Sequence, residues 1–256
     1  MSSFDCVERR NPPESKSPPT HSFPMKITAN AGFANRLRIL LGYREVCRKF
    51  GVPLTFVWLE NRFCGALDNA FVIDGVDIQH SISPPRDAPA IPGKVTFKDI
   101  VQIYGIDAKE KVVCNAYRQI QFDPTITLAA QVGRQAQLAV HARVTDLYKS
   151  TGLQLTPSDF FSQIEEREKI HPIFPLYLAT DSQNLQAAFI KRYGAQNILT
   201  TARLDPGNFR QSSLRDAVTD LLACSLASQF LGTPGSSFSG SIQIFRRINN
   251  ASMSES

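Results

Sequence analysis

The chain has no window of eighteen consecutive apolar residues, so none of it reads as a membrane-spanning helix. It has no run of five Lys or Arg either, and nucleic acid is not an expected partner. The net charge of +5 on 256 residues is modest and favours an anionic ligand such as a phosphorylated small molecule. The first 24 residues carry no apolar core of the signal-peptide kind, so a cytoplasmic location is expected. Five cysteines (Cys6, Cys47, Cys64, Cys114, Cys224) are odd in number and far apart, with no CxxC pair. Four histidines (His21, His80, His141, His171) are equally scattered, which argues against a zinc site and for reduced thiols.

Several reaction types lack their signatures. Without GxxxxGK followed by Ser or Thr there is no P-loop kinase, and without GxGxxG after the first strand no dinucleotide oxidoreductase fingerprint. A serine hydrolase would need GxSxG followed by a histidine, whereas no His follows Gly232. The absence of D-x-D disfavours a donor held through a metal ion, and no metal is expected.

What is present is an ordinary globular balance, 43% hydrophobic and 20% charged, long enough to bury a sizeable core. Residues 1–24 hold five of the sixteen prolines and read as a disordered tail, and residues 249–256 as a flexible one. Order is expected from Met25: MKITA as a strand, NAGFAN as a turn, Arg36–Phe50 as a helix, VPLTFVWL as a strand. Ile39, Tyr43, Val46 and Phe50 form one helical stripe and Leu37, Leu40, Leu41 and Cys47 a second, so this helix should be largely buried. Lys111–Phe122 reads as a strand or two and Thr125–Gln137 as a helix. From Leu138 the alternation is regular: strands LAVHA, PLYLAT, NILTT and SQFLG, with helices Ser158–Arg167 (capped by Ser158 after Pro157), Asn184–Tyr193, Ser213–Leu226 and Ser239–Arg247. This pattern predicts an α/β protein of two Rossmann-like lobes, residues 25–137 and 138–248, with a cleft between them.

Ligands of such lobes bind at the C-terminal ends of the strands. Four ends gather polar residues: Asn30, Gly32, Asn35 and Arg36; His141, Arg143, Thr145 and Asp146; Thr180, Asp181 and Ser182; and GTPGSSFSG over residues 232–240. The last has the makings of an anion nest, in which Gly235 frees the backbone, Ser236 and Ser237 offer donors and a helix start adds positive charge. Arg143 can bridge a diphosphate with two parallel hydrogen bonds. Asp181-Ser182 reads most simply as a helix N-cap. Asp220, set mid-helix among apolar residues, is costly unless paired and needs either an arginine or a ligand donor.

Taken in order, these ends resemble a known family. GFANRLRIL resembles the G-x-G-N-R/Q-L/M motif of fucosyltransferases, and VHARVTD their H-x-R-R-T-D segment. LYLATDSQNL and LRDAVTDLLACSLASQFLGTPGSSFS resemble the two later motifs of the α1,6-fucosyltransferase and protein O-fucosyltransferase group. The resemblance spans roughly residues 25–247.

It implies a GT-B fold, a GDP-fucose donor held mainly by the C-terminal lobe, and inverting, metal-independent transfer to a glycan or other hydroxyl acceptor. By position it implies that Arg143 grips the β-phosphate, Asp220 reads the guanine and His141 belongs to the donor pocket. Ser236 and Ser237 would bind phosphate, with Gly32, Asn35 and Arg36 facing the diphosphate from the other lobe. Asp181 is carried as a donor-side candidate, and Asp146 as a residue that orients its loop or deprotonates the acceptor. Val144 and Ala34 depart from the motifs, and no Glu follows Asp146 closely, so the general base is not evident. Another sugar nucleotide, such as a pentosyl donor, and a non-catalytic nucleotide- or nucleic-acid-binding protein stand as alternatives. Arg62–Lys111 is expected to shape the acceptor side.

Overall fold

The computed structural model describes residues 25–144, 155–205, 207 and 212–254. The tail read over residues 1–24 lies outside the described residues, as do Thr145 and Asp146.

Strands β1 (Met25–Ala29), β2 (Leu54–Leu59), β4 (Val76–Ser81) and β5 (Ala90–Ile91) form a parallel sheet in the order β4-β2-β1-β5. Beside it, β3 (Phe71–Ile73) and β6 (Ile120–Phe122) make a two-stranded antiparallel ribbon. A second parallel sheet holds β7 (Leu138–Ala142), β8 (Leu176–Thr180), β9 (Ile198–Leu199) and β10 (Gln229–Gly232), in the order β10-β7-β8-β9. All five residues of β7 and of β8 are buried, as strands covered on both faces require.

The period-2 alternation of those strands divides the core. Leu138, Val140, Leu176 and Leu178 face α5 (Pro157–Glu168) and α6 (Gln183–Tyr193) through Phe160, Ile164, Leu185 and Phe189. Ala139, Tyr177 and Ala179 face the other way, into a cluster that includes Leu221 and Cys224 of α7 (Leu214–Leu226). That cluster runs on without a break into the first lobe, through Phe245 of α8 (Ser237–Ser254) to Tyr117, Leu37 and Trp58. Helix α8 thus starts at the end of β10 and packs against α7 of its own lobe. It also packs against two helices of the first, α1 (Phe33–Phe50), on which α2 (Phe97–Ile103) lies as well, and α3 (Glu110–Tyr117).

Local sequence explains most boundaries, and the differences from expectation have physical causes. Helix α1 begins at Phe33 rather than Arg36, because Gly32 is its N-cap and the Gly32 carbonyl accepts from the Asn35 and Arg36 amides, both at 3.1 Å. GFAN is therefore the first helical turn. At the other end Gly51 closes the helix with φ 66°, a left-handed conformation that a residue with a Cβ rarely adopts. The stretch read as strand over Lys111–Phe122 is mostly α3, followed by the short β6. Val112, Val113, Ala116 and Tyr117 recur at a helical spacing, and α3 lies against α8. Helix α5 is capped by Thr156, not Ser158: the Thr156 amide and hydroxyl both donate to Asp159 Oδ2, at 2.7 and 2.8 Å. The final helix reaches Ser254, beyond the Arg247 end read from the sequence.

The helix expected over Thr125–Gln137 divides into α4 (Pro124–Ala130) and a 3-10 turn, Gln131–Gln135. Here the chain meets α7 backbone to backbone, and a Cβ on Gly133 would stand 2.1 Å from the Ala223 carbonyl oxygen. Among the described residues no helix is long and apolar enough to cross a membrane. Because Gly133 has no space for even one methyl, Gly133→Ala should destabilise the chain by about 3 kcal/mol through forced separation of the turn from α7. The urea midpoint measures this, and an unchanged midpoint would refute that contact.

Candidate functional site

In each sheet the strand order doubles back once. β1 lies between β2 and β5, and β7 between β8 and β10. At such a reversal the loops leaving neighbouring strands diverge and open a crevice at the C-terminal edge. Both crevices open onto one cavity of about 560 Å³, with Gly32 and Asn35 from the first lobe and His141, Arg143 and Ser237 from the second in its wall.

The wall at β7 and β10 is fastened by Thr233, only 2% exposed. Its hydroxyl donates to the His141 carbonyl at 2.7 Å and accepts from the Arg143 amide at 3.0 Å. One side chain therefore fixes the end of β7 to the loop after β10, and with it the point from which Arg143 projects into the cavity wall. The His141 ring stacks on Phe238, with centroids 4.7 Å apart, and its Nδ1 lies 2.8 Å from Ser239 Oγ. Close approach is needed here, since a Cβ on Gly232 would come within 2.9 Å of Ser239. Gly235, at φ 70°, turns the chain into α8. Of the two serines, Ser237 lines the cavity and Ser236 does not. Ser236 is 7% exposed, and its carbonyl accepts from the Gly240 amide at 3.1 Å.

Asp220 is 4% exposed and lines the same cavity. Its Oδ1 accepts from the Tyr177 hydroxyl at 2.6 Å and from Thr201 Oγ1 at 3.4 Å. The donor that its position demanded is thus tyrosine rather than arginine. Loss of water still dominates, and burial pushes the Asp220 carboxyl up to about 7 against the pull of these two hydrogen bonds. Burial likewise drives the Tyr177 hydroxyl well above its ordinary range, with the Asp220 charge adding to the shift. The folded chain holds the Asp220 proton more tightly than the unfolded chain does. That stabilisation is complete below the ordinary carboxylate range and is lost as pH rises through about 7.

On the first-lobe side, Gly32 and Asn35 line the cavity but Arg36 does not. Arg36 is fully buried, donates from Nε to the Ala31 carbonyl at 2.6 Å and from an Nη to the Leu59 carbonyl, and lies 5.1 Å from the Trp58 ring centroid. It ties the end of β1 to the end of β2 beneath the wall. Asp181 lines the cavity, while its neighbour Ser182 does the capping, accepting from the Leu185 amide at 3.3 Å.

Two further strand ends belong to the wall and were not singled out by sequence. After β2 come Glu60 to Gly65, and after β9 come Arg203 and Asp205. Both obey the strand-end rule that found the other four. Of the Arg62–Lys111 segment expected on the acceptor side, only Arg62–Gly65 contributes to this cavity. Among the described residues the wall carries three arginines, Arg62, Arg143 and Arg203, interspersed with four carboxylates, Glu60, Asp181, Asp205 and Asp220, so it offers both donors for an anionic group and acceptors for N–H or O–H groups.

No protein-family model matches the sequence, and no curated protein matches it. Solved structures do match in fold. A NodZ alpha-1,6-fucosyltransferase soaked with GDP-fucose aligns with a TM-score of 0.57 at 14% identity, over 87% of this chain and 92% of that one. Fucosyltransferase NodZ from Bradyrhizobium aligns at 0.56 and 13% identity, over 86% and 93%. POFUT1 in complex with GDP aligns at 0.50 and 13%, over 89% and 96%. The chain therefore has the GT-B α/β fold of these fucosyltransferases.

Proposed function

We propose that this chain is an inverting, metal-independent glycosyltransferase that moves L-fucose from GDP-fucose to a hydroxyl of a glycan or other acceptor. The observation that carries the proposal is convergence. Arg143, the Ser237 start of α8 and the buried carboxylate Asp220 share one cavity, in a fold held in common with fucosyltransferases solved with GDP or GDP-fucose.

The roles follow from charge. Guanine offers N1–H and N2–H side by side, and a carboxylate is the acceptor that suits both. Asp220 has Oδ1 engaged with Tyr177 and Thr201, and among the described residues Oδ2 makes no hydrogen bond. The diphosphate lies along Arg143 and the amides at the start of α8, with Asn35 on the opposite wall. As the bond from fucose to phosphate breaks, negative charge grows on the β-phosphate, and a fixed guanidinium lowers that barrier in place of a metal ion. The base of the wall is kept rigid by Thr233 and Arg36, so little reorganisation accompanies the step.

Two measurements test this. Arg143→Ala should lower GDP release from GDP-fucose by about 10²–10³-fold, the usual effect of losing one transition-state donor. Undiminished turnover would refute the role. GDP affinity should rise with pH and level off above about 7, because guanine binding requires the ionised form of Asp220. Below that pH it should weaken by up to roughly tenfold per unit. Calorimetry across the range measures it, with Asp220→Asn expected to bind weakly and without this dependence. An equal pH profile in the two proteins would contradict the assignment.

A further inference from the structure

We propose that Glu60 is the base that takes the acceptor's proton, with His80 as its positioning residue; this rests on the glycosyltransferase reading above. Inverting displacement brings the acceptor hydroxyl in on the face of the sugar opposite the leaving diphosphate. The second lobe holds the diphosphate in that reading, so the base stands on the first-lobe wall. Among the described residues four carboxylates line the cavity, and Asp181, Asp205 and Asp220 all come from the second lobe. Two of these have other work. Asp220 is bonded to Tyr177, and Asp205 Oδ1 accepts from the Gly207 amide at 2.9 Å. Glu60 is the carboxylate of the opposite wall.

Its setting fits proton transfer. Glu60 directly follows β2, and its amide donates to the Ser81 carbonyl at the end of β4, at 2.8 Å. His80, on β4, places Nε2 at 3.0 Å from Glu60 Oε2, which occupies one carboxylate oxygen and leaves Oε1 for a substrate. The Glu60 side chain is 43% exposed, so an acceptor arriving from solvent can reach it, as it cannot reach buried Asp220. The loop beyond is stiff. Asn61 and Cys64 exchange backbone hydrogen bonds at 3.0 Å, Asn61 Nδ2 donates to Asn30 Oδ1 at 2.9 Å, and Trp58 Nε1 donates to the Gly65 carbonyl at 3.0 Å.

In the step, the acceptor O–H proton passes to Glu60 while the acceptor oxygen bonds to the sugar's anomeric carbon. The bond from that carbon to the phosphate oxygen breaks, and its electron pair leaves with GDP. Glu60 then releases the proton to water. His80 donates from Nε2 throughout and exchanges no proton with substrate.

The test uses the full chain with GDP-fucose and water as acceptor, following GDP release, with GDP affinity measured in parallel by calorimetry. Glu60→Gln should lower kcat by roughly 10²–10⁴-fold, the range for loss of a general base, with GDP affinity unchanged. Glu60→Asp should recover part of that rate. His80→Ala should lower kcat about tenfold at constant KM for GDP-fucose, and His80→Gln, which keeps a donor, should restore most of it. If Glu60→Gln turns over like the parent chain while Arg143→Ala does not, the base assignment fails and the glycosyltransferase reading stands. If Glu60→Gln loses GDP affinity in place of rate, Glu60 is a donor-binding residue and the assignment also fails. A parent chain that releases no GDP defeats both.

Discussion

The molecule depends on a constraint of parallel sheets. Every strand of a sheet ends at the same edge, and a ligand site opens where the strand order reverses. Both sheets here reverse, at β1 and at β7, and both reversals face one cavity. Helix α8 makes this possible. It begins at the second reversal and packs along its length against both lobes, so one continuous core joins the two. Polar residues at strand ends that are far apart in sequence are thereby made neighbours.

Around that cavity, stability and function draw on the same groups. Thr233 closes two backbone hydrogen bonds and in doing so fixes the origin of Arg143. Arg36 satisfies the carbonyls of Ala31 and Leu59 and so holds the first wall from beneath. Asp220 works against the fold. Its buried carboxyl would be better solvated outside, and Tyr177 and Thr201 offset only part of that cost. A ligand that donates hydrogen bonds to it would supply what the protein lacks, and on the proposed reading guanine is that ligand.

The sequence carried the α/β alternation and the GT-B resemblance because both reside in local pattern. Apolar runs of strand length alternate with amphipathic helices, and the polar motifs sit where strands stop. Arg36 shows the limit. It follows Asn35 in a polar motif and looks ligand-facing, but one turn into α1 its side chain points beneath the wall toward Trp58. Its two carbonyl partners are brought there only by the pairing of β1 with β2. Ser236 and Ser237 are adjacent and chemically alike, and only the turn at Gly235 decides that Ser237 faces the cavity. Glu60 was legible in principle, since it ends a strand as plainly as Arg143 does. Its link to His80 depends on the register of β2 with β4, which no local pattern encodes.

The central claim is that this cavity is shaped for a guanosine diphosphate. Thermal denaturation in the presence of GDP, UDP, ADP or CDP at equal concentration tests it most directly, because a ligand that binds only the folded chain raises the melting temperature by mass action, by about 2.7 kcal/mol of stability at a hundredfold excess over Kd. GDP is predicted to give the largest rise, and to lose that advantage in Asp220→Asn. A larger rise with UDP, or equal rises with all four, would contradict the claim.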